Sequence, residues 1–496
     1  MAACSRIILA GVSDIMGLGR ASLSTLLAVS LAACGGGGSS GGGNPISGGG
    51  GSSGGGSSTC SLSARQDFVK AVIDEWYLFP TLVNNSVNKA SHSDVQSYID
   101  ALVAPARAES KDRYFTYITS IAEENAFFNS GSSAGFGVRL GYDTVNNRVF
   151  VIEVFETGPA FAQGFDRGTE LISIGTSAST LQSVSSLMAN GGPQAVIDAL
   201  GPSDAGLSRT FVIRPVGGAN TQVTVSKADY SLDPVSDRYG AKIIDDGGKK
   251  VGYINLRTFI DSADADLRTA FDTFRQQGVT EVIVDLRYNG GGLVRIAELF
   301  GDLLGRNYSG QVFSRTTLRS SKSSENSTRN FTTQSQAITA TKIAFIGRGG
   351  TASASELVTN SMIPYLGNNM ALVGTNTYGK PVGQYGFDKA ECDDRLRVVT
   401  FKTENRDGQG EYFTGLASVV PNTCAANDDI FTQLGDPNEA SVAQALSFLR
   451  NGAASCTAIS GGGQGTASAR SAASPERELL QPRYPTPAQH EVPGLF

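Results

Sequence analysis

The sequence predicts a multidomain α/β protein, and three observations lead to this fold class. The chain has 496 residues, of which 40% are hydrophobic, and this is enough for more than one packed core. Near Ser133 the hydrophobic period changes from that of helices to the alternation of strands. From about Tyr239 onward, short apolar runs alternate with helical stretches, as in an α/β core with buried strands.

The first globular part is predicted to be a small helical N-terminal unit, residues 60–128. A helix is expected from Ser63 to Tyr77, because Ser63 and Gln66 form a capping box and apolar residues follow at helical spacing. A second helix is expected to begin near Ser93.

Residues 129–232 resemble a mostly β PDZ domain. The segment from Glu156 to Gly175 has the pattern of that domain, a proline–alanine turn, a short helix and a polar turn before a strand. The preceding GFGV sequence lies where a PDZ domain binds a terminal carboxylate, since glycines let successive backbone N–H groups converge on an anion. The expected peptide-binding residues are Gly135, Phe136, Gly137 and Val138.

Residues 233–455 form the predicted α/β core. Its buried strands are expected to begin at Val251, Glu281, Lys342 and Ala371, with helices over 262–277 and 439–450. Residues 456–496 are rich in glycine, serine and proline with scattered charge, a composition that predicts a disordered tail.

The N-terminus reads as an export signal, residues 1–33, with translation starting at Met1 or Met16. Its apolar run ends in LAAC, which resembles the lipobox of bacterial lipoproteins and makes Cys34 the expected lipidation site. A plain secretory signal is the alternative. The Gly/Ser-rich stretch 34–59 then forms a flexible tether. This places the protein in the cell envelope, facing the periplasm, and Gly35 favours the outer membrane under the usual sorting rule.

Four cysteines follow the tether, an even number that suits disulfides in an oxidising compartment. Three pairings are possible, and we favour Cys392 with Cys424, and Cys60 with Cys456. No cysteine pair has the spacing of zinc ligands and the chain has only two histidines, so no metal site and no cofactor are expected. A net charge of −6 without a basic cluster argues against nucleic acid as a partner.

The candidate chemistry lies in GTASASELV and TYGKPVGQ, between Gly350 and Gln384. A serine nucleophile needs a base, and neither His92 nor His490 lies in a plausible active-site context. Lys380 is the candidate base. Ser353 is expected at the N-terminus of a helix, where the helix dipole favours negative charge. The pentapeptide GTASA alone has little weight, because it recurs at residues 465–469.

Together with DLRYNGGG at residues 285–292 and QLGDPNEA near the end of the core, these motifs resemble the carboxyl-terminal processing proteases of serine peptidase family S41. The resemblance covers roughly residues 63–452 and implies a crotonase/ClpP-like core with a Ser–Lys dyad assisted by a glutamine. Carried onto this sequence, it makes Ser353 the nucleophile, Lys380 the general base and Gln384 the residue that orients the lysine.

The same resemblance implies an oxyanion hole formed by the backbone N–H groups of Ala354 and Gly291. Ser353 and Lys380 are two residues further apart than is usual in the family. Ser355 would restore the spacing but breaks the motif alignment, so Ser353 is preferred. Asp285 and Arg287 are interpreted as an ion pair or cap that holds the glycine loop.

The expected function is therefore that of a serine endopeptidase acting on exported proteins with flexible C-termini. An oligomer or an activator is neither predicted nor excluded. One alternative is a non-catalytic peptide-binding lipoprotein on a protease-derived scaffold, and another is an esterase or amidase. A Ser–His–Asp enzyme is disfavoured by the positions of the two histidines.

Overall fold

A computed structural model describes residues 58–460 and 477–496. The predicted signal, the lipidation site Cys34 and nearly all of the tether lie outside the described residues. The chain divides into two compact units, residues 1–61 and 62–496. In the first, the described part is a short 3₁₀ turn, Ser58–Cys60. No described helix combines the length and apolar character needed to cross a membrane.

The α-helices of the larger unit are, in chain order, α1 (Leu62–Trp76), α2 (Val95–Leu102), α3 (Ala104–Ala108), α4 (Ile121–Ser130), α5 (Val184–Leu200), α6 (Ala263–Gln276), α7 (Val294–Leu304), α8 (Ala354–Leu366), α9 (Ala440–Asn451) and α10 (Pro487–Glu491).

Its strands are β1 (Tyr117–Ser120), β2 (Ser132–Gly135), β3 (Val138–Asp143), β4 (Arg148–Val154), β5 (Glu170–Gly175), β6 (Gln182–Ser183), β7 (Ser208–Arg214), β8 (Thr221–Ser226), β9 (Ala228–Ser231), β10 (Ala241–Asp246), β11 (Lys249–Asn255), β12 (Glu281–Asp285), β13 (Val312–Leu318), β14 (Ser327–Asn330), β15 (Lys342–Gly347), β16 (Met370–Gly374), β17 (Val382–Lys389), β18 (Asp394–Glu404), β19 (Thr423–Ala425) and β20 (Glu478–Leu479).

A six-stranded sheet forms the centre of the α/β core, in the order β10-β11-β12-β15-β16-β19. Strand β10 is antiparallel to β11, and the remaining pairs are parallel. Helices α6, α7 and α8 pack their apolar residues with one face of this sheet, whereas α9 packs with the other. Burial on both faces explains why its strands are short continuous apolar runs. The loops after β12 and β15 leave the same edge of the sheet and carry the glycine triplet and Ser353.

A second sheet lies in the region with the PDZ pattern and has the order β20-β3-β4-β5-β7-β8, with β6 beside β5. Apolar residues of these strands and of α5 form their own core. In a third sheet, β18 pairs with β1, β13 and β17. Helices α1 to α3 share a core with β17 and β18. The helical residues near the N-terminus therefore pack beside the strand that follows Lys380.

The predicted disorder of residues 456–496 is wrong for its last part. Residues 477–496 contain β20 and α10, and β20 pairs antiparallel with β3. Composition indicated disorder because this segment has too few apolar residues to build a core of its own. It is ordered because it completes an existing sheet and an existing core.

The two favoured pairings, Cys392 with Cys424 and Cys60 with Cys456, are also wrong. Cys424 is bonded to Cys456, with Cα atoms 4.5 Å apart. Cys424 lies on β19 at the edge of the central sheet, and Cys456 follows the turn that ends α9. Sequence spacing carried no information on this contact, which arises from the packing of α9 near β19.

Candidate active site

Ser353 lies where the loop after β15 enters helix α8. Its backbone has φ of +53° and ψ of −114°, a region that residues other than glycine rarely adopt. Such strain persists only where neighbours enforce it, and it is concentrated at functional sites. Gly291 is one of those neighbours, since a Cβ on it would lie 2.7 Å from the Ser353 Cβ. The side chain of Ser353 is partly exposed.

The alternative serine has a different environment. Ser355 is fully buried, and its hydroxyl donates a hydrogen bond to the carbonyl oxygen of Asn289 at 3.1 Å. A substrate carbonyl has no access to this oxygen, so the geometry favours Ser353 of the two.

Lys380 lies in the loop between β16 and β17, directly after Gly379, whose φ is +88°. Its ammonium group donates to Oε1 of Gln384 at 2.8 Å and is 5.0 Å from the centroid of the Phe115 ring. Desolvation lowers the pKa of Lys380 below its usual 10.5, because a buried ammonium loses its hydration. This is the direction that a lysine general base requires.

Ser353 and Lys380 line one small pocket, whose other walls are largely apolar and include Leu357, Val382 and Phe401. The structure brings together the serine, lysine and glutamine that the sequence singled out. Among the described residues, however, no hydrogen bond joins Ser353 Oγ to Lys380 Nζ. In this state the lysine is bonded to Gln384 instead.

Glu356 connects the nucleophile segment to the lysine segment. This fully buried carboxylate accepts hydrogen bonds from the backbone N–H groups of Ser353, Gly379 and Lys380 at 3.1, 2.7 and 2.7 Å, and from the Thr377 hydroxyl at 2.6 Å. Burial raises the pKa of Glu356, whereas these hydrogen bonds oppose the rise. Sequence reasoning missed this residue, although serine followed three residues later by glutamate is a recognisable capping pattern.

The loop between α3 and β1 also reaches the lysine segment. Arg113 donates to the carbonyl oxygens of Tyr378 and of Gly379, the latter at 2.8 Å, and its guanidinium lies 4.1 Å from the centroid of the Tyr378 ring. The carbonyl oxygen of Phe115 accepts from the Gln384 amide. The helical N-terminal region therefore supplies part of the support for Lys380, and no motif in the sequence indicated this.

The glycine triplet after β12 faces Ser353. Gly291 and Gly292 have φ of +123° and +131°, which only glycine adopts readily. The Gly291 N–H donates to Oδ1 of Asn289 at 2.9 Å, so the predicted oxyanion donor has an internal partner in this state. Ala354 is the first residue of α8, where N–H groups have no acceptor within the helix.

A buried ion-pair network anchors this loop. The Arg287 guanidinium lies 2.9 Å from the Asp285 carboxylate and 2.8 Å from that of Glu439, and all three side chains are fully buried. The interpretation of Asp285 and Arg287 as a structural pair is confirmed. Glu439 at the start of α9 is the partner that the sequence did not reveal.

The GFGV loop is occupied by the last residue of the sequence. The backbone N–H groups of Phe136, Gly137 and Val138 all donate to the main-chain oxygen of Phe496, at 3.0, 3.0 and 3.2 Å. A Cβ on Gly135 would lie 2.9 Å from the Phe496 carbonyl carbon. Three of the four residues of this loop thus bind the main chain of Phe496, and the absence of a side chain at Gly135 permits its approach.

His490 is near enough to Lys380 for the charge of the lysine to act on it, whereas the sequence placed neither histidine in a plausible active-site context. Its ring stacks on Tyr117 with centroids 3.9 Å apart. Desolvation, with a further contribution from the positive charge of Lys380, lowers the pKa of His490 to about 3. A histidine with this pKa is neutral at ordinary pH. The sequence could not indicate its position, because the contact depends on the path of residues 477–496.

No group of three or more His, Cys, Asp or Glu side chains in the described parts of the chain could hold a metal ion. The groups available for chemistry at this site are therefore the strained serine, the desolvated lysine and the backbone N–H groups beside them.

Comparison with known proteins identifies the class of this domain. Residues 250–418 match peptidase family S41, and this stretch contains the glycine triplet, Ser353 and Lys380. The chain therefore carries a peptidase S41 domain.

Two relatives and one solved structure extend the comparison. The chain is 24% identical over 337 residues to a carboxyl-terminal-processing protease of Synechocystis sp., covering 66% of this chain and 70% of that one. It is 26% identical over 318 residues to a CtpA-like serine protease of Staphylococcus epidermidis, covering 62% of this chain and 57% of the relative. The crystal structure of a candidate S41 protease from Bacteroides fragilis shares the fold, with a TM-score of 0.59 and 20% identity over 77% of this chain and 97% of that one.

Proposed function

We propose that this protein is a serine endopeptidase that uses a Ser353–Lys380 dyad. The observation that carries the proposal is the placement of both side chains on one pocket within the S41 domain. The strained backbone of Ser353 and the lowered pKa of Lys380 support it, because a nucleophile and a base of suitable pKa are what acyl transfer requires.

In the proposed mechanism, neutral Lys380 turns from Gln384 and takes the hydroxyl proton of Ser353. The serine oxygen attacks the peptide carbonyl carbon, and the N–H of Ala354 stabilises the resulting oxyanion. The Gly291 N–H joins it once released from Asn289. The C–N bond then breaks as the lysine gives its proton to the leaving amine, which leaves an acyl ester on Ser353. Water, deprotonated by the lysine, attacks this ester, the bond to Oγ breaks, and the protonated lysine returns the proton to Ser353.

The pocket beside the dyad is too small to hold a side chain in this state, but its largely apolar walls support a preference for apolar groups next to the cleaved bond. Leu357, Val382 and Phe401 contribute apolar surface to it, and burying a charged side chain there without a partner would be costly. The substrates we propose are exported proteins with flexible C-termini.

We assign substrate capture to residues 129–232 as a PDZ-type domain, next to a catalytic core at residues 233–455 and a helical unit at residues 60–128. The convergent N–H groups of the GFGV loop and the edge of β3, which forms main-chain hydrogen bonds with residues 478–496, support this role. We also propose export through residues 1–33 and anchoring by lipidated Cys34, with residues 34–59 as the tether and the outer membrane as the location.

Cleavage of casein by the purified full chain tests the proposal. Wild type is compared with Ser353→Ala, Ser355→Ala and Lys380→Ala, each checked for folding by circular dichroism. We expect the Ser353 and Lys380 variants to lose activity by roughly a thousandfold or more, and Ser355→Ala to retain hydrolysis. Activity that survives Ser353→Ala contradicts the assignment, whereas a wild type that binds peptides without cleaving them favours the non-catalytic alternative.

A further inference from the structure

Residues 477–496 touch two functional places at once. One part pairs with β3 and the GFGV loop, where a substrate peptide is proposed to bind. Another part lies on the glycine triplet beside Ser353. Under the proposed function, a substrate needs both the GFGV loop and the glycine triplet beside Ser353. The position of residues 477–496 therefore determines whether a substrate can bind.

At the sheet, the segment covers the edge of β3 that does not pair with β4. Glu478 and Leu479 pair with Tyr142 and Gly141. Further along β3, Leu140 donates to the carbonyl oxygen of Gly494 at 2.8 Å, and Phe496 donates to that of Val138 at 2.9 Å. A peptide that adds to this edge by main-chain hydrogen bonds must first displace the segment.

Apolar burial holds the segment in place. The Phe496 side chain belongs to the core between the β3 sheet and α5, which is where the terminal side chain of a bound peptide would lie. Five apolar side chains of the segment are at most 4% exposed, namely Leu480, Ala488, Val492, Leu495 and Phe496.

At the catalytic end, the backbone of the segment crosses the glycine triplet. The Gly290 N–H donates to the carbonyl oxygen of Glu491 at 2.9 Å. A Cβ on Gly290 would lie 2.8 Å from the carbonyl oxygen of His490, so the absence of a side chain at this position permits the approach. His490 fills the space against Tyr117, and the segment thereby excludes a substrate main chain from this loop.

One feature of the segment opposes its binding. Glu491 is buried, and within the part of the chain that the structure describes its Oε2 atom has no hydrogen-bond partner, although the charges of Lys380 and Arg397 attract the carboxylate. An unpartnered buried carboxylate oxygen costs free energy that water would restore on release. The contact is therefore suited to reversible displacement.

We propose that residues 477–496 are a built-in competitive ligand that closes the enzyme, and that substrates open it by presenting an apolar C-terminal residue with a free carboxylate in place of Phe496. In a chain that ends at Phe496, the oxygen bound by the GFGV loop belongs to the terminal carboxylate, which is the chemistry that the competing peptide must match. The regulatory part of this proposal rests on the proposed peptidase function.

The test compares the full chain with a variant that ends at Glu476. Casein cleavage should rise by about tenfold or more on truncation, since a site that is open less than a tenth of the time loses that factor in apparent affinity. A synthetic peptide of residues 477–496 should inhibit the truncated variant. The same peptide with a C-terminal amide, or with Phe496→Asp, should inhibit it at least about tenfold less.

Point variants in the full chain guard against effects of truncation on folding. Phe496→Asp should raise the rate as truncation does. Tyr484→Ser is the matched control in the same segment, because Tyr484 is 59% exposed, and it should leave the rate unchanged. Equal rates for the full chain, the truncated variant and Phe496→Asp would overturn the proposal.

Binding measurements separate this proposal from the proposed function. Fluorescein-labelled 477–496 peptide is titrated into Ser353→Ala proteins with and without residues 477–496. Binding confined to the truncated protein supports the built-in ligand even if no form cleaves casein. Equal binding to both forms overturns it. Loss of the segment from wild type but not from Ser353→Ala, seen by intact-protein mass spectrometry, would instead identify a cleaved pro-segment and also overturn reversible competition.

Discussion

Glu356 is the residue through which the nucleophile and the base share one support. Its two carboxylate oxygens receive N–H groups from both sides of the site, from Ser353 and from Gly379 and Lys380. Any movement of the lysine loop therefore also alters the hydrogen bonds at the start of α8. A neutral side chain of the same shape would keep the contacts at lower strength, because hydrogen bonds to a charged acceptor are stronger.

The protonation of Lys380 predicts the pH dependence of the rate. Only the neutral amine accepts the Ser353 proton, and the neutral fraction grows as pH rises through the pKa of the lysine. Because burial lowers this pKa below 10.5, kcat/KM for a peptide substrate should rise with pH and level off below pH 10.5. A pH–rate profile of the wild type measures this limb.

Lys380→Arg is the control for that profile. Arginine keeps its proton throughout this range, so this variant should lose activity by about a hundredfold or more at every pH. A wild-type limb centred at or above the pKa of a free lysine would contradict the role of Lys380 as base.

The sequence indicated the active-site side chains that belong to a local motif. Ser353, Lys380 and Gln384 were identified because their neighbours in sequence carry the pattern, and they line or adjoin one site. Arg113 and Asn289 were not identified, because single polar residues become informative only when folding brings them beside Gly379 and Gly291.

At the scale of elements, the loop between α3 and β1 positions the base. Arg113 holds the carbonyl oxygens of Tyr378 and Gly379, and it touches neither the reacting serine nor the pocket beside it. It therefore acts through the lysine loop.

Arg113→Ala should lower kcat by about tenfold to a hundredfold with little change in KM, since small displacements of a catalytic group cost rates of this order. The pH range over which kcat/KM rises, which we assign to deprotonation of Lys380, should also shift in this variant. Steady-state kinetics at several pH values provide both readouts. Lys111→Ala is the control, because the Lys111 ammonium pairs with Glu109 at the surface and lies 5.7 Å from the centroid of the Phe79 ring, away from the lysine loop. Equal effects from both variants would contradict a positioning role.

Where a local pattern predicted the start of a helix or strand in the core, the structure places that start within a residue or two of the prediction. The helix expected over 262–277 is α6, Ala263–Gln276, and the strand expected from Glu281 is β12. Their hydrophobic periods are set by burial on the sheet, so the signal lies within each element. Strand β20 has only two residues, and its order depends on the free edge of β3, which no local pattern reports.

At the scale of the whole molecule, the Cys424–Cys456 bond ties the last strand of the central sheet to the chain after α9. Closing a loop of this length, with a sequence separation of 32 residues, restricts the unfolded chain. Removing the bond should therefore affect stability more than activity.

The double variant Cys424→Ser/Cys456→Ser should lose roughly 3 to 4 kcal/mol of unfolding free energy, measured by urea denaturation. Peptide mapping of the wild type without reduction should yield a fragment that joins Cys424 to Cys456. A fragment that joins Cys392 to Cys424 would contradict the structure.

The path of residues 477–496 also fixes how many residues separate the GFGV loop from the glycine triplet at the active site. Phe496 is held at the GFGV loop, and Glu491 lies on Gly290 beside the nucleophile, five residues earlier in the chain. A substrate held by its end in the same way would place a bond about that far from its C-terminus next to Ser353. The enzyme would then remove a short peptide of nearly constant length from each substrate that it binds by the C-terminus.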